Sequence, residues 1–270
     1  MEGGSPRRRA ATAWIVVVVL SLAAAARTSA QFGIPPPQRP ANPRASAPLD
    51  FTGYWVAVVT EDWRFRMLTP GKGDYSSAPL NTEGKRVADT WDPAKDEASG
   101  NQCRSYGAAA IMRVPTRLHI SWEDDTTLRI DTDAGMQTRL LHFGGALPQG
   151  APQWQGYSTA SWEGLQEAGM FQIPTTMGGA SAGHASEGYL KVITTRMRPG
   201  YLRKNGFPYS GNAIVEEYFD SFKEPNGDTW LVVTTIVTDP QYLAEPYILS
   251  SQFKKQPDAS GWNPTPCEAK

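Results

Sequence analysis

Residues 189–253 decide the fold, and WLVVTTIVT at 230–238 is the strongest strand pattern in the chain. Neighbouring segments are β-branched or alternate between apolar and polar residues, as half-buried strands do, and they are residues 190–196, 213–222 and 248–253. Asn226-Gly227 precedes the 230–238 run, and Asn-Gly between two such runs favours a tight hairpin. The stretch therefore predicts four successive strands of an antiparallel meander.

The remaining strand patterns lie upstream and complete a sheet. Three alternating runs occupy residues 117–143, another occupies 154–163, and an apolar one occupies 53–60. Asn81 and Asp92-Pro93 are typical helix starts within one short helical region, and residues 103–115 predict a small helix or loop that plugs one end of the sheet. We predict an all-β fold, either an antiparallel lipocalin-like barrel or a strongly curled sheet, with about eight to ten strands.

Composition and charge limit the classes of function. The 270 residues include 22 Pro and 25 Gly, which fits many turns rather than long helices. A net charge of −1 gives no electrostatic reason to expect binding to nucleic acid or to an anionic membrane surface. Because barrel domains often have about 200–250 residues, we predict one barrel domain at residues 50–256 and a C-terminal tail at 257–270.

The first 30 residues have the pattern of an export signal. Arg7-Arg8-Arg9 precede an uncharged apolar run, and small residues end at Ala30, where we expect cleavage. A permanent membrane anchor is the alternative, although the run is short for a spanning helix, and the arginines also permit the twin-arginine route. The Pro-rich residues 31–49 predict an extended linker. We expect the protein in the periplasm or outside the cell, touching a membrane only through the signal segment.

The cysteines and histidines indicate a disulfide rather than a metal site. Cys103 and Cys267 are the only two cysteines, and an exported chain with two usually pairs them. Two free thiols are the alternative. His119, His142 and His184 lack the spacing of metal ligands, so we expect no metal and no cofactor.

Residues 61–66 continue the apolar strand pattern at 53–60 with charged and aromatic side chains. As a strand, they would place Glu61 and Trp63 on one face and Asp62, Arg64 and Arg66 on the other. Either the charges lie on a solvated outer face, or they form a polar wall inside a cavity. In the second case a carboxylate would be paired with an arginine such as Arg196, because unpaired burial of a charge is costly.

Charged, histidine and tryptophan side chains on predicted strands are the candidates for a ligand site. The sequence contains no nucleophile elbow or phosphate loop, so we assign no catalytic residue. The candidates are Glu61, Asp62, Trp63, Arg64, Arg66, His119, Trp122, His142, Arg196 and Glu216. Residues 164–188 are rich in small residues and predict a long mobile loop at a hairpin tip, beside the mouth of a cavity.

Short motifs follow one another in an order that resembles a family of exported bacterial hypothetical proteins. They are Met112-Arg113-x-Pro115 after Cys103, Trp154-x-Gly156, Trp162-Glu163-Gly164, Gly206-x-Pro208-x-Ser210 and Asp239-Pro240. The resemblance covers residues 103–253 and implies a fold and an export route, but no reaction. The chain departs from the family pattern in the 164–188 segment and at Tyr209, where the family has His. Separately, Gly53-Tyr54-Trp55 resembles the Gly-x-Trp motif of lipocalins.

Three hypotheses about function follow. The first is that the exported protein binds a small apolar or amphiphilic molecule in a barrel cavity. The second is a cofactor-independent lyase, isomerase or hydrolase that uses an arginine-held carboxylate in the same cavity. The third is a structural or interaction module of the cell envelope, which would expose a large apolar patch.

Overall fold

The computed structural model describes Met1 and residues 42–146, 149–164 and 188–270. The predicted signal segment, most of the predicted linker, His184 and nearly all of the predicted 164–188 loop lie outside the described residues. None of the described helices has the length and apolar character that crossing a bilayer requires.

Eleven strands are the main secondary structure of the described residues. Nine of them close a barrel in the order β1-β11-β10-β9-β6-β5-β4-β3-β2, and β7 and β8 form a separate hairpin. The bounds are β1 Gly53–Val58, β2 Arg117–Asp124, β3 Thr127–Thr132, β4 Thr138–His142, β5 Tyr157–Glu163, β6 Tyr189–Thr195, β7 Gly200–Arg203, β8 Phe207–Tyr209, β9 Ile214–Lys223, β10 Thr229–Thr238 and β11 Tyr247–Gln256. The predicted all-β barrel is confirmed.

One pair of neighbouring barrel strands is parallel. β4 and β5 run in the same direction, with Leu141 opposite Ser158. The other eight adjacent pairs are antiparallel. The barrel is therefore mixed rather than purely antiparallel.

The predicted meander forms one side of the barrel, with β6, β9, β10 and β11 side by side. At the β9–β10 hairpin the backbone N–H of Glu224 donates to the carbonyl of Asp228 at 2.8 Å, and that of Gly227 donates to Glu224 at 2.9 Å. Gly227 has φ 91°, in the left-handed region that favours glycine. The loop is therefore a three-residue turn that ends in a left-handed glycine, which is a common hairpin geometry.

Apolar side chains on alternate strand positions fill the barrel. Trp55 is fully buried and its indole N–H donates to the carbonyl of Phe51 at 2.8 Å. The other members of this apolar cluster include Leu118, Ile120, Leu128, Ile130, Leu141, Leu190, Val192, Phe219, Leu231, Val233 and Phe253. Burial of these side chains supplies the main favourable free energy of folding.

The segment that precedes β1 covers the end of the barrel where β5 ends. The indole N–H of Trp162 donates to the carbonyl of Pro43 at 2.9 Å, and Phe51 stacks on Trp162 with ring centroids 5.9 Å apart. Phe143 lies between Trp162 and Trp122, at 5.4 Å and 5.6 Å respectively. These rings close this end of the apolar interior.

Four short helices and the β7–β8 hairpin cover the other end. They are α1 Trp63–Met67, α2 Thr82–Ala88, α3 Pro93–Ala98 and α4 Ala108–Ile111, with a 3-10 helix at Gln102–Tyr106. The predicted helix starts are confirmed, because Asn81 accepts from the N–H of Gly84 at 2.8 Å and Asp92 from that of Lys95 at 3.2 Å. Ile111 and Met112 reach into the barrel core and act as the predicted plug.

The prediction of a strand at residues 61–66 is wrong. β1 ends at Val58, and its neighbour β2 begins at Arg117 opposite Val56, so the chain beyond this point has no partner on that side. Asp62 takes the left-handed conformation with φ 52°, and α1 follows. A charged and aromatic hexapeptide without a sheet partner has no reason to keep the two-residue alternation.

A polar layer lies inside the barrel near the helical end. Arg139 and Glu217 are both 0% exposed, and the guanidinium donates two hydrogen bonds to the carboxylate, at 2.5 Å and 3.0 Å. Arg139 also donates to Thr194 at 3.4 Å, and Thr194 lies 2.7 Å from the hydroxyl of Ser158. The bidentate geometry offsets the cost of burying two charges.

The C-terminal tail is fixed to the barrel by a disulfide and by backbone hydrogen bonds. Cys103 and Cys267 are bonded, which confirms the predicted pairing. Thr265 donates its N–H to the carbonyl of Asp133 at 2.9 Å and accepts from Gly135 at 2.8 Å. The tail is therefore an integral wall of the domain and extends the predicted barrel unit beyond residue 256.

Loss of one member of the Arg139–Glu217 pair should destabilise the fold. Arg139→Met leaves Glu217 buried without its counter-ion, and we expect the free energy of unfolding to fall by about 3–5 kcal/mol. The double variant Arg139→Met/Glu217→Leu contains neither charge and should recover most of that loss. Urea unfolding followed by circular dichroism measures the free energy of unfolding of both variants. A double variant that is no more stable than Arg139→Met would contradict the assignment.

Loss of the disulfide should also destabilise the protein. The bond spans 164 residues, for which the chain-entropy model gives about 5 kcal/mol as an upper value. Titration of the unfolded, unreduced protein should find no free thiol. Cys103→Ser/Cys267→Ser should lower the urea midpoint, and an unchanged midpoint would show that the tail is held by its backbone contacts alone.

Candidate functional site

A pocket of about 340 Å³ lies at the helical end of the barrel. We call it the basic pocket, because Arg66, Arg113 and Lys204 line it and Glu268 is the acidic residue that faces them. Its apolar lining comes from Phe65, Met67, Leu68, Tyr106, Val114, Ala134 and Pro266. The walls are thus supplied by α1, the link from α4 to β2, the β7–β8 turn and the tail.

Arg66 is the most unusual residue of the basic pocket. It is 8% exposed, and its Nε donates to the carbonyl of Arg113 at 2.9 Å. Its Nη1 and Nη2 are buried and have no hydrogen-bond partner among the described residues. Burial and the neighbouring charge of Arg113 lower the pKa of Arg66, while the carboxylates of Asp62 and Glu61 act in the opposite direction. Arg66 stays protonated at any physiological pH, so a buried cation with two free N–H groups lies against the pocket.

Arg113 is held by the carboxylate of Asp62. Arg113 is 6% exposed, and its Nη2 donates to Asp62 at 2.6 Å. Arg203 lies behind this pair, with its Nη2 3.7 Å from the same carboxylate. The left-handed conformation of Asp62 therefore aims its side chain at two arginines instead of capping α1.

Arg203 is fixed by the residues around it and not by the pocket. It donates to the carbonyl of Ser76 at 2.7 Å and to the hydroxyl of Tyr247 at 3.2 Å, and its guanidinium lies 4.4 Å from the ring centre of Phe65. Lys204, the next residue, lines the pocket with its Nζ 5.0 Å from the ring centre of Tyr106. The two adjacent cations therefore have different roles, one structural and one facing the pocket.

The structure separates the predicted site residues of the 61–66 segment. Arg66 lines the basic pocket and Asp62 supports it. Trp63 is 64% exposed on α1, and Arg64 is exposed and paired with Asp74 at 2.9 Å. Glu61 is exposed and accepts from Gln252 at 3.5 Å. The predicted grouping on two strand faces is wrong, because α1 turns successive side chains by a helical angle.

The predicted candidates on barrel strands do not reach the basic pocket. His119 stacks on Tyr54 with ring centres 4.4 Å apart, and His142 stacks on Tyr157 at 4.9 Å, both on the outer face. Trp122 belongs to the aromatic cluster at the opposite end. Arg196 has φ 56° and donates to the carbonyl of Gly150 at 2.5 Å. It therefore does not pair with Glu61, the partner that the sequence suggested.

Glu216 also points away from the interior. It pairs with Lys191 at 3.3 Å and accepts a hydrogen bond from Tyr218, which lowers its pKa. Its neighbour Glu217 is the buried acid, since it shares the inward face with Val215 and Phe219. Strict application of the two-residue alternation along β9 would have selected Glu217.

Sequence reasoning missed three of the four charged residues that line the basic pocket. Arg113 carried a signal, because it belongs to the Met112-Arg113-x-Pro115 motif that was used only for the resemblance. Lys204 and Glu268 carried none, because a single charged residue in a turn or a tail is ordinary. Only the fold brings these side chains to one pocket.

Tyr201 belongs to a buried hydrogen-bond network. From its pKa we predict that the free energy of unfolding falls at high pH. Its hydroxyl donates to Asp96 at 2.8 Å and accepts from Arg104 at 2.8 Å. Burial, followed by the hydrogen bond to Asp96, raises the pKa of Tyr201 to about 12. Because the pKa is higher in the folded state than the unfolded value of about 10, this stabilisation is complete below pH ~10 and is lost as the pH rises through ~12.

Tyr201→Phe should therefore reduce the pH dependence of stability in the alkaline range. We expect the free energy of unfolding of this variant to fall less between pH 10 and 12 than that of the unmodified protein, by up to ~2 kcal/mol. Urea unfolding at each pH measures the slope. Identical slopes for the two proteins would show that Tyr201 does not titrate in this way.

No protein-family model, no curated protein and no solved structure matches the chain. The resemblance of residues 103–253 to exported bacterial proteins, and that of Gly53-Tyr54-Trp55 to lipocalins, therefore stay predictions. A functional assignment depends on the geometry of the basic pocket.

Proposed function

We propose that the protein binds a small anionic amphiphile in the basic pocket. The acid group of the ligand lies toward Arg66 and Lys204, and its apolar part lies along Phe65, Leu68 and Val114. A carboxylate and a phosphate have the same chemistry for this purpose, because both accept charge-assisted hydrogen bonds from guanidinium and ammonium groups. This is the amphiphile of the first sequence hypothesis, placed at the end of the barrel rather than in its apolar interior.

The observation that carries this proposal is that Nη1 and Nη2 of the buried Arg66 have no hydrogen-bond partner among the described residues. The nearby carboxylate of Asp62 is engaged by Arg113, and a buried charge that no group pairs with directly costs several kcal/mol. The described neighbours supply one backbone acceptor to Nε and none to Nη1 or Nη2. An anion in the pocket supplies the missing negative charge after a small rotation of the side chain.

The apolar lining supports an amphiphile rather than an inorganic anion. Met67 and Leu68 line the pocket and are also 58% and 67% exposed, so an apolar surface continues from the pocket to its mouth together with Trp63. We assign this surface to the apolar part of the ligand. It would otherwise favour the third hypothesis, an interaction module.

The enzyme hypothesis has less support. Among the described residues, fully or nearly fully buried arginines hold two carboxylates at hydrogen-bond distance, Glu217 by Arg139 and Asp62 by Arg113. Glu217 is 0% exposed, and neither acid is among the described residues that line the basic pocket. A general base must reach the proton that it abstracts, so the geometry favours binding without turnover.

We also propose that the protein acts after export, in the periplasm or outside the cell. The signal-like residues 1–30 support this location, and so does the Cys103–Cys267 disulfide, because disulfides persist in oxidising compartments. No partner other than the small ligand is required by the proposal.

Isothermal titration with three octyl compounds tests the proposal. Octanoate and octyl phosphate should bind to the oxidised protein, and the neutral octanol should bind at least about tenfold more weakly, since it cannot accept charge-assisted bonds from Arg66. Arg66→Met should weaken binding of both anions by about 10- to 100-fold. The affinity should also fall as the salt concentration rises.

Arg64→Met is the matched control, because Arg64 lies on the same helix, is exposed and does not line the pocket. It should leave the affinities unchanged. Without ligand, Arg66→Met should lower the free energy of unfolding by no more than about 1 kcal/mol, because the variant removes a buried cation whose Nη1 and Nη2 have no partner among the described residues. Equal affinity for octanol and octanoate, or equal loss in both variants, would contradict the proposal.

A further inference from the structure

A second pocket, of about 320 Å³, lies on the outer face of the barrel on the other side of the tail. We call it the aromatic cleft, because the rings of Tyr54, His119 and Trp262 line it. Tyr54 and His119 are stacked with ring centres 4.4 Å apart and planes at 15°. Trp262 stands nearly perpendicular to both, at 69° and 76°, with its centre 5.9 Å and 6.4 Å away.

The fold positions each ring for a local reason. Tyr54 on β1 lies directly opposite His119 on β2, and both point outward because their neighbours Trp55 and Leu118 point inward. Trp262 follows a turn in which its N–H donates to the carbonyl of Ala259 at 2.9 Å. Trp262 is half-buried and lies outside the barrel core, so part of its ring stays accessible to a ligand.

The approach of the tail to β2 is close. A Cβ atom on Gly261 would lie 2.7 Å from Nε of Arg117, so the tail backbone runs directly over that side chain. Glycine permits this approach and brings Trp262 beside His119. The aromatic cleft is therefore built by the chain and is not an incidental gap between loops.

The polar side of the cleft carries little net charge. Asp131 accepts from Nε of Arg129 at 2.8 Å and from the hydroxyl of Thr138 at 2.6 Å. Arg129 also pairs with Glu123 at 3.0 Å, so it balances part of the charge of Asp131 and weakens the attraction for an organic cation. A carboxylate has about four acceptor positions, so Asp131 can still accept from a ligand hydroxyl. Gln137 and Thr138 line the same side, and the amide of Gln137, which donates to Gly135 at 2.6 Å and accepts from Gln155 at 3.0 Å, keeps one donor and one acceptor position for a ligand.

We propose that the aromatic cleft binds a neutral saccharide unit. Ring faces carry partial negative charge and pack well against the slightly positive C–H face of a pyranose ring. Asp131, Gln137 and Thr138 then hydrogen-bond to the ligand's hydroxyls. This site goes beyond the proposed amphiphile site, with which it shares no lining residue.

Saturation-transfer difference NMR on the oxidised protein tests the inference, with maltose, cellobiose and N,N′-diacetylchitobiose as probes. At least one disaccharide should receive saturation at its ring C–H protons. Trp262→Ala should weaken binding of that disaccharide at least tenfold, and Trp262→Phe, which keeps a ring, should retain part of the affinity. Ile248→Ala removes an exposed apolar side chain that lines neither pocket and should have no effect.

Absence of saturation transfer to all three disaccharides would overturn the inference. So would tetramethylammonium binding that Trp262→Ala abolishes while no disaccharide binds, because that result would assign the cleft to a cation. Thermal unfolding of each variant confirms that it is folded. Failure here leaves the octanoate result untouched, since Arg66 and Trp262 belong to different pockets.

Discussion

The attachment of the C-terminal tail to the barrel is the constraint on which both pockets depend. The backbone hydrogen bonds of Thr265 hold the tail against the β3–β4 turn, and the Cys103–Cys267 disulfide ties it to the 3-10 helix. Thr265, Pro266 and Glu268 form a wall of the basic pocket, and Trp262 and Pro264 form a wall of the aromatic cleft. A segment that contributes no barrel strand therefore shapes both candidate sites.

Two buried arginines show how the same residue can be structural or functional. Arg139 has a bidentate carboxylate and a threonine as partners of its Nη1 and Nη2, and its Nε is the nitrogen without a partner among the described residues, so its charge is paired within the fold. Arg66 has only a backbone carbonyl as acceptor among the described residues. Burial is similar in the two cases, and the difference lies in the hydrogen-bond partners. A binding role follows from what Arg66 lacks and not from its residue type.

The barrel strands were predictable because their signals are local. Alternation along β2, β9 and β10 reflects one face packed on the core. The turn that contains Asn226-Gly227 fixes the hairpin between β9 and β10. The helix α1 was not predictable from the sequence. A strand needs a neighbouring strand, and the lack of one on the β2 side beyond Val58 follows from the tertiary structure and not from the local sequence. The basic pocket joins α1, Arg113, Lys204 and Glu268 from distant parts of the chain. Local sequence patterns do not show which of these distant residues lie close together in the folded chain.

The placement of β1 between β2 and β11 has a consequence for the order of folding events. β1 is the first strand of the domain, and its two partners lie far apart in the chain, one of them near the C-terminus. During synthesis β1 therefore leaves the ribosome long before β11 exists, and its edge stays open until the last strand emerges. Such non-local closure is slow and exposes a strand edge to other chains. Early chaperone cover, or translocation before closure, protects a chain with this topology.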